Sequence, residues 1–145
     1  MNHLMVPDGK GGQMRVSRDL YTYQTKVASL AAGATTTVTI DIEADSSFIW
    51  LKTTFSITGG ITHTRDTVQI PALTVQINDT GSGRLLQQQP VLVGDMAGNG
   101  ELPFILPVPR TFKPKSTMQV TFINNSPDQY IDFSLVFHGY KQWKL

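Results

Sequence analysis

The chain has 145 residues, carries twelve Lys+Arg against eleven Asp+Glu for a formal net charge of +1, and contains no cysteine. Its length fits one domain, able to bury roughly 68–70% of its unfolded surface without covalent staples. The missing cysteine excludes disulfides, thiolate nucleophiles and Cys-based metal sites, and the balanced charge lacks the basic excess or stripe of nucleic-acid binders.

Residues 1–20 hold three methionines, Pro7 and the stretch DGKGG from Asp8 to Gly12. They read as an N-terminal arm with little structure of its own, and residues 21–145 as the domain. No apolar stretch long enough for a secretory leader occurs there, and no run in the chain approaches the roughly 18 apolar residues of a membrane span. The expectation is a soluble chain with neither a membrane nor a nucleic acid as partner.

From Tyr21 onward the pattern changes to short alternating runs. In Thr35–Glu43, Val38, Ile40 and Ile42 face one way while Thr37, Thr39, Asp41 and Glu43 face the other, the two-residue period of a strand with one wet face. The next run sets Ile49, Leu51, Phe55 and Ile57 against Phe48, Trp50, Lys52 and Thr54. Further runs alternate Leu73, Val75 and Ile77, then Met118, Val120 and Phe122, and finally Ile131, Phe133, Leu135 and Phe137, with His138 at the end and Gly139 closing the strand. Between them lie the turn signals TGG at 58–60, NDTGSG at 78–83, GNG at 98–100 and NNSPD at 124–128. Prolines 103, 107, 109 and 114 confine LPFILPVPRTFKP to an edge or bridging segment, and QPVLVGDMAG has room for one helical turn. Seven or eight short strands at this spacing predict an all-β protein, an antiparallel β-sandwich or barrel with almost no helix. The core expected from the alternation is Val38, Ile40, Leu51, Phe55, Val75, Ile77, Val120, Phe122, Phe133 and Leu135.

Catalytic and metal chemistry find little support. His3 lies in the arm, His63 in a turn-rich segment and His138 at a strand end, without the H-x-H or H-x-x-x-E spacing that gathers ligands on facing strands. No G-x-S-x-G elbow is present. PDGKGG lacks the spacing and the Ser/Thr of a P-loop, and NDTGSGR offers too few oxygens for calcium. Asp41 and Glu43 share a strand face with threonines and no aromatic platform for a sugar. No catalytic residue, cofactor or metal is expected.

The aromatics stand out instead. If Ile49, Leu51, Phe55 and Ile57 face the core, Phe48 and Trp50 point away from it. Tyr21 and Tyr23 share a face, and Trp143 lies near the end of the chain. These five are the candidate interface, since aromatics are favoured where subunits meet. For Phe48 and Trp50, cover by the chain's own arm or a second layer is the alternative.

Residues 66–143 resemble small virion proteins of tailed bacteriophages that cement or decorate the capsid. The likeness rests on IPALTVQINDTGSGRLLQQQPV, on GDMAGNGELPFILPVPRTFKPKSTMQVTFINNS and on YIDFSLVFHGYKQW. It implies a jelly roll on the outer capsid surface, made in the host cytoplasm, whose partners are the major capsid protein and copies of itself. It implies stabilisation of the shell without catalysis. A tail, collar or head–tail joining protein is the alternative within that class. A carbohydrate-binding jelly roll that uses Trp50 or Trp143 as a stacking platform is the alternative outside it.

Overall fold

β-Branched residues alternating with polar ones suit a pleated surface with one buried side, and the chain is built almost wholly of strands. In order these are β1 (Asn2–Pro7), β2 (Gln13–Leu30), β3 (Thr35–Asp41), β4 (Ser47–Gly59), β5 (Leu73–Asp79), β6 (Arg84–Leu85), β7 (Val91–Leu92), β8 (Phe104–Phe112), β9 (Thr117–Asn124) and β10 (Ile131–Lys144). One 3-10 turn, Val93–Asp95, fills the position expected for a helical turn. The structure, a computed structural model, describes residues 2–59 and 73–145. The segment around His63 and the predicted strand start at Ala72 lie outside the described residues.

Two antiparallel sheets face each other. The first has the order β1-β2-β10-β4-β8, the second β3-β9-β5-β6, with β7 also on β5. From β2 to β5 and from β8 to β10, successive strands switch sheets, the double Greek-key winding of a jelly roll. Between the sheets lies an apolar core in which Ile40, Val75, Ile77, Val120, Phe122, Phe133 and Leu135 are buried, as the alternation predicts, with Val38 and Phe55 half-buried against it.

Of the segment read as an arm, residues 2–7 and 13–20 are instead strand. Asn2–Pro7 pairs with Arg18–Gln13, and β2 continues without a break to Leu30. DGKGG is the hairpin turn. Asp8 Oδ1 accepts from the N–H groups of Lys10 (2.8 Å) and Gly12 (2.9 Å), and Gly9 and Gly11 adopt positive φ. Such a turn needs glycine where the backbone is left-handed, so the residues that suggested looseness specify a hairpin.

Two readings of strand ends and faces are also corrected. Gly139 does not end the last strand, which runs on to Lys144. A Cβ there would sit 1.8 Å from the Ile49 carbonyl oxygen, so glycine marks a close backbone approach inside the sheet. The second correction lies in β4. His138 pairs with Lys52 and Gly139 with Trp50, leaving Leu51 as an extra, unpaired residue. The register of β4 against β8 slips at the same place. This bulge reverses the parity of the strand. Phe48 and Trp50 therefore share the core face with Thr53, and with Phe55 and Ile57, which are half-buried against the core, while Leu51 leaves the core predicted for it.

Candidate interface site

The five aromatics singled out by sequence divide into two sets. Phe48 and Trp50 are core residues, 0% and 2% exposed, and are withdrawn as interface anchors. The Trp50 ring meets Phe137 edge-on at 5.1 Å and Phe112 at 6.4 Å. Its indole N–H donates to Thr53 Oγ1 (2.9 Å) and the Lys52 carbonyl (3.1 Å). A buried tryptophan whose one polar atom is satisfied has no surface left for a partner. It offers no sugar platform either.

Tyr21, Tyr23 and Trp143 remain partly exposed. They lie at the end of the sandwich where β2 and β10 carry the core face beyond the second sheet. Their rings continue the core aromatics outward: Phe48 to Tyr23 at 4.8 Å, then Tyr23 to Tyr21 at 4.9 Å, both edge-on. The β3–β4 loop folds over them. Lys141 Nζ pairs with Glu43 Oε1 at 2.9 Å and stands 3.8 Å from the Tyr21 ring centre, so the cation meets a carboxylate and a π face together. The Tyr23 hydroxyl donates to the other Glu43 oxygen, and the Trp143 indole N–H donates to Asp45 Oδ2 at 3.3 Å.

Both titratable partners respond to this clamp. Burial, then the hydrogen bond to Glu43 and its charge, pushes the Tyr23 phenol far above its usual range. Burial alone would raise the Glu43 carboxyl, but the Tyr23 hydrogen bond and the Lys141 ammonium hold it below the usual carboxylate range. Sequence reasoning placed Glu43 on a solvated strand face and gave Lys141 no role. Alternation does place Lys141 on the core face with Phe137, and a lysine on a core face is a signal that it has a partner.

The opposite, outer face of the same sheet carries a shallow groove of about 720 Å³, lined by His3, Leu4, Arg18, Asp19, Leu20, Leu51, Gly139 and Tyr140. Arg18 stacks on Tyr140 at 4.7 Å and donates from Nε to Gln142 Oε1 at 2.8 Å. Nearby on that face, His138 Nε2 shares a hydrogen bond of 2.8 Å with Thr54 Oγ1, and burial, then the Lys52 charge, holds its pKa below the usual value. Among the described residues no three His, Asp or Glu side chains come close enough to hold a metal ion, and no helix is long and apolar enough to cross a membrane.

No family model matches the sequence, and no curated protein matches it. Among solved structures, the infectious bursal disease virus VP2 subviral particle aligns with 100% of this chain and 42% of its own, at 14% identity and a TM-score of 0.28. A score of that size is below what a common fold gives.

Proposed function

We propose that this protein is a non-enzymatic structural component of a tailed-phage virion, a cement protein that binds the outside of the capsid and stabilises contacts between major capsid subunits. The resemblance of residues 66–143 to such proteins motivates the reading, and the β1–β2 hairpin is the observation that carries it. β10 ends at Lys144, opposite Val16, and Leu145 adds one more hydrogen bond, from its N–H to the Arg15 carbonyl (3.0 Å), beyond which the β1–β2 hairpin continues as a two-stranded ribbon with no third strand among the described residues. Such a ribbon is marginal in water on its own, and Met5 on it is largely exposed. A projecting ribbon of this kind suits a surface supplied by a neighbouring subunit, while the jelly roll behind it acts as a rigid body. Modest affinity at each site suffices when one body bridges two subunits, because the second contact forms at high effective concentration.

The test is quantitative mass spectrometry of purified particles together with binding of the isolated chain to shells that lack it. A copy number comparable with that of the major capsid subunit, and loss of binding on deletion of residues 1–12, are the expected results. A copy number matching a single vertex or a tail would move the protein to the collar or tail. Absence from the particle would overturn the reading.

A further inference from the structure

We propose that the free edge of β2 pairs antiparallel with the same edge of a second copy, joining two first sheets across a two-fold axis at Gln24. β1 covers β2 only from Gln13 to Arg18. From Asp19 to Leu30 the β1 side of β2 has no strand partner among the described residues, a notch twelve residues long. The opposite edge of the sheet, β8, is blunted in the manner of natural edge strands: Pro107 and Pro109 remove donors, and Leu106–Pro109 bulge away from β4. The notch has no proline and only two charges, Asp19 and Lys26. An unpaired row of backbone N–H and C=O groups recognises one thing, an extended strand.

The self-pairing register follows from the faces. When both sandwiches lie on the same side of the joined sheet, inner residues must oppose inner ones, and the two-fold passes through a residue of β2. With Gln24 on the axis, the inner face pairs Tyr21 with Val27 of the second copy, an aromatic with a β-branched residue, both half-buried in one copy alone. The outer face pairs Leu20, which is 85% exposed, with Ala28 of the second copy, and Thr22 with its Lys26. No like charges meet. The regular pairing is Leu20–Ala28, because Ser29 is left-handed (φ 54°) and its N–H donates to Asp132 Oδ1, so each copy's strand stops short of the other's β1, which begins opposite Arg18.

The inference does not depend on a virion role, because it concerns the isolated chain in solution. Sedimentation should give a mass twice the 16.0 kDa of one chain. The protein has no cysteine, so single introduced cysteines report the register directly. Gln24→Cys should oxidise to a disulfide-linked dimer. Ala28→Cys should not, since its two copies would stand about 26 Å apart along the strands at roughly 3.3 Å per residue. Leu20→Lys with Ala28→Lys, both at exposed positions, sets two cations against each other at each end and should weaken the dimer at least tenfold with the monomer's circular dichroism unchanged. A monomeric mass at every concentration overturns the proposal, as does cross-linking at Ala28→Cys equal to that at Gln24→Cys. A dimer that fails to bind shells overturns the cement role alone.

Discussion

Trp50 is packed by Phe112 and Phe137, and its indole N–H reaches two acceptors. Trp50→Ala therefore removes buried ring area and a donor at once, and is expected to destabilise by about 3–5 kcal/mol, read as a lower urea midpoint at unchanged slope. A loss under about 1 kcal/mol would place the ring outside the core, since buried aromatic truncations cost several times that. The Glu43–Lys141–Tyr23 clamp predicts a pH profile. Folding favours the Glu43 carboxylate, so the stability it adds is complete above its unfolded pKa of about 4.3 and is lost as pH falls through the lower folded value. Folding favours the protonated Tyr23 phenol, so that contribution is complete below about pH 10 and is lost as pH rises beyond it. Glu43→Gln should shrink the acid-side fall in melting temperature, and Tyr23→Phe the alkaline-side fall. Wild-type profiles in both variants would show that the clamp does not couple to folding.

At the scale of the strand, the bulge in β4 decides which side chains enter the core. Leu51 is the extra residue, and at Gly139 on β10 the two backbones approach too closely for a Cβ. Gly139→Ala would place a Cβ against the Ile49 carbonyl, and overpacking of this kind costs typically 1–3 kcal/mol and at times more. Because the clash is with backbone, the larger end is expected. A neutral result in chemical denaturation would mean that β4 can slide past β10, and the parity argument for Phe48 and Trp50 would fall with it. The same bulge marks where sequence reasoning stops. Alternation in β5, β9 and β10 named their buried residues correctly because no extra residue interrupts those strands where they carry the core; the register slips beside Phe133 place the extra residues on β2 and β4. In β4 the alternation is equally clear on either side of Leu51, but one inserted residue exchanges the faces, and nothing local in FIWLKTTF marks the insertion. The hairpin was hidden for a related reason. Asp8–Gly12 has turn composition, yet β1 is only six residues long, too short for its alternation to stand out from an irregular arm. Of the interface candidates, Tyr21, Tyr23 and Trp143 could be placed from parity alone. The clamp over them could not, because Glu43 arrives from a loop whose path depends on the whole sandwich.

For the molecule as a whole, the position of β10 sets how the parts depend on one another. It lies in the middle of the first sheet, between β2 and β4, and pairs with both along nearly its whole length. Ile131, Phe133, Leu135 and Phe137 from this one strand are all fully buried. The sheet therefore cannot close until residues near the C-terminal end of the chain meet residues near its beginning, as in the pairing of Trp143 with Ser17. Contacts so distant in sequence must meet the loop-closure cost before they yield any burial, which puts folding in the slow, millisecond-to-second class of β-sandwiches. It also makes the fold all-or-none with respect to its last strand. Deletion of residues 131–145 would leave β2 and β4 without their shared neighbour and expose the inner faces of Phe48, Trp50 and Phe122 to water. The truncated chain is expected to show no cooperative thermal transition and to bind a hydrophobic dye, whereas deletion of residues 1–12, which removes only β1 and its turn, should keep the cooperative melt. A cooperative melt in the C-terminal truncation would mean that the second sheet and β4 form a self-sufficient unit, and the central role of β10 would have to be abandoned.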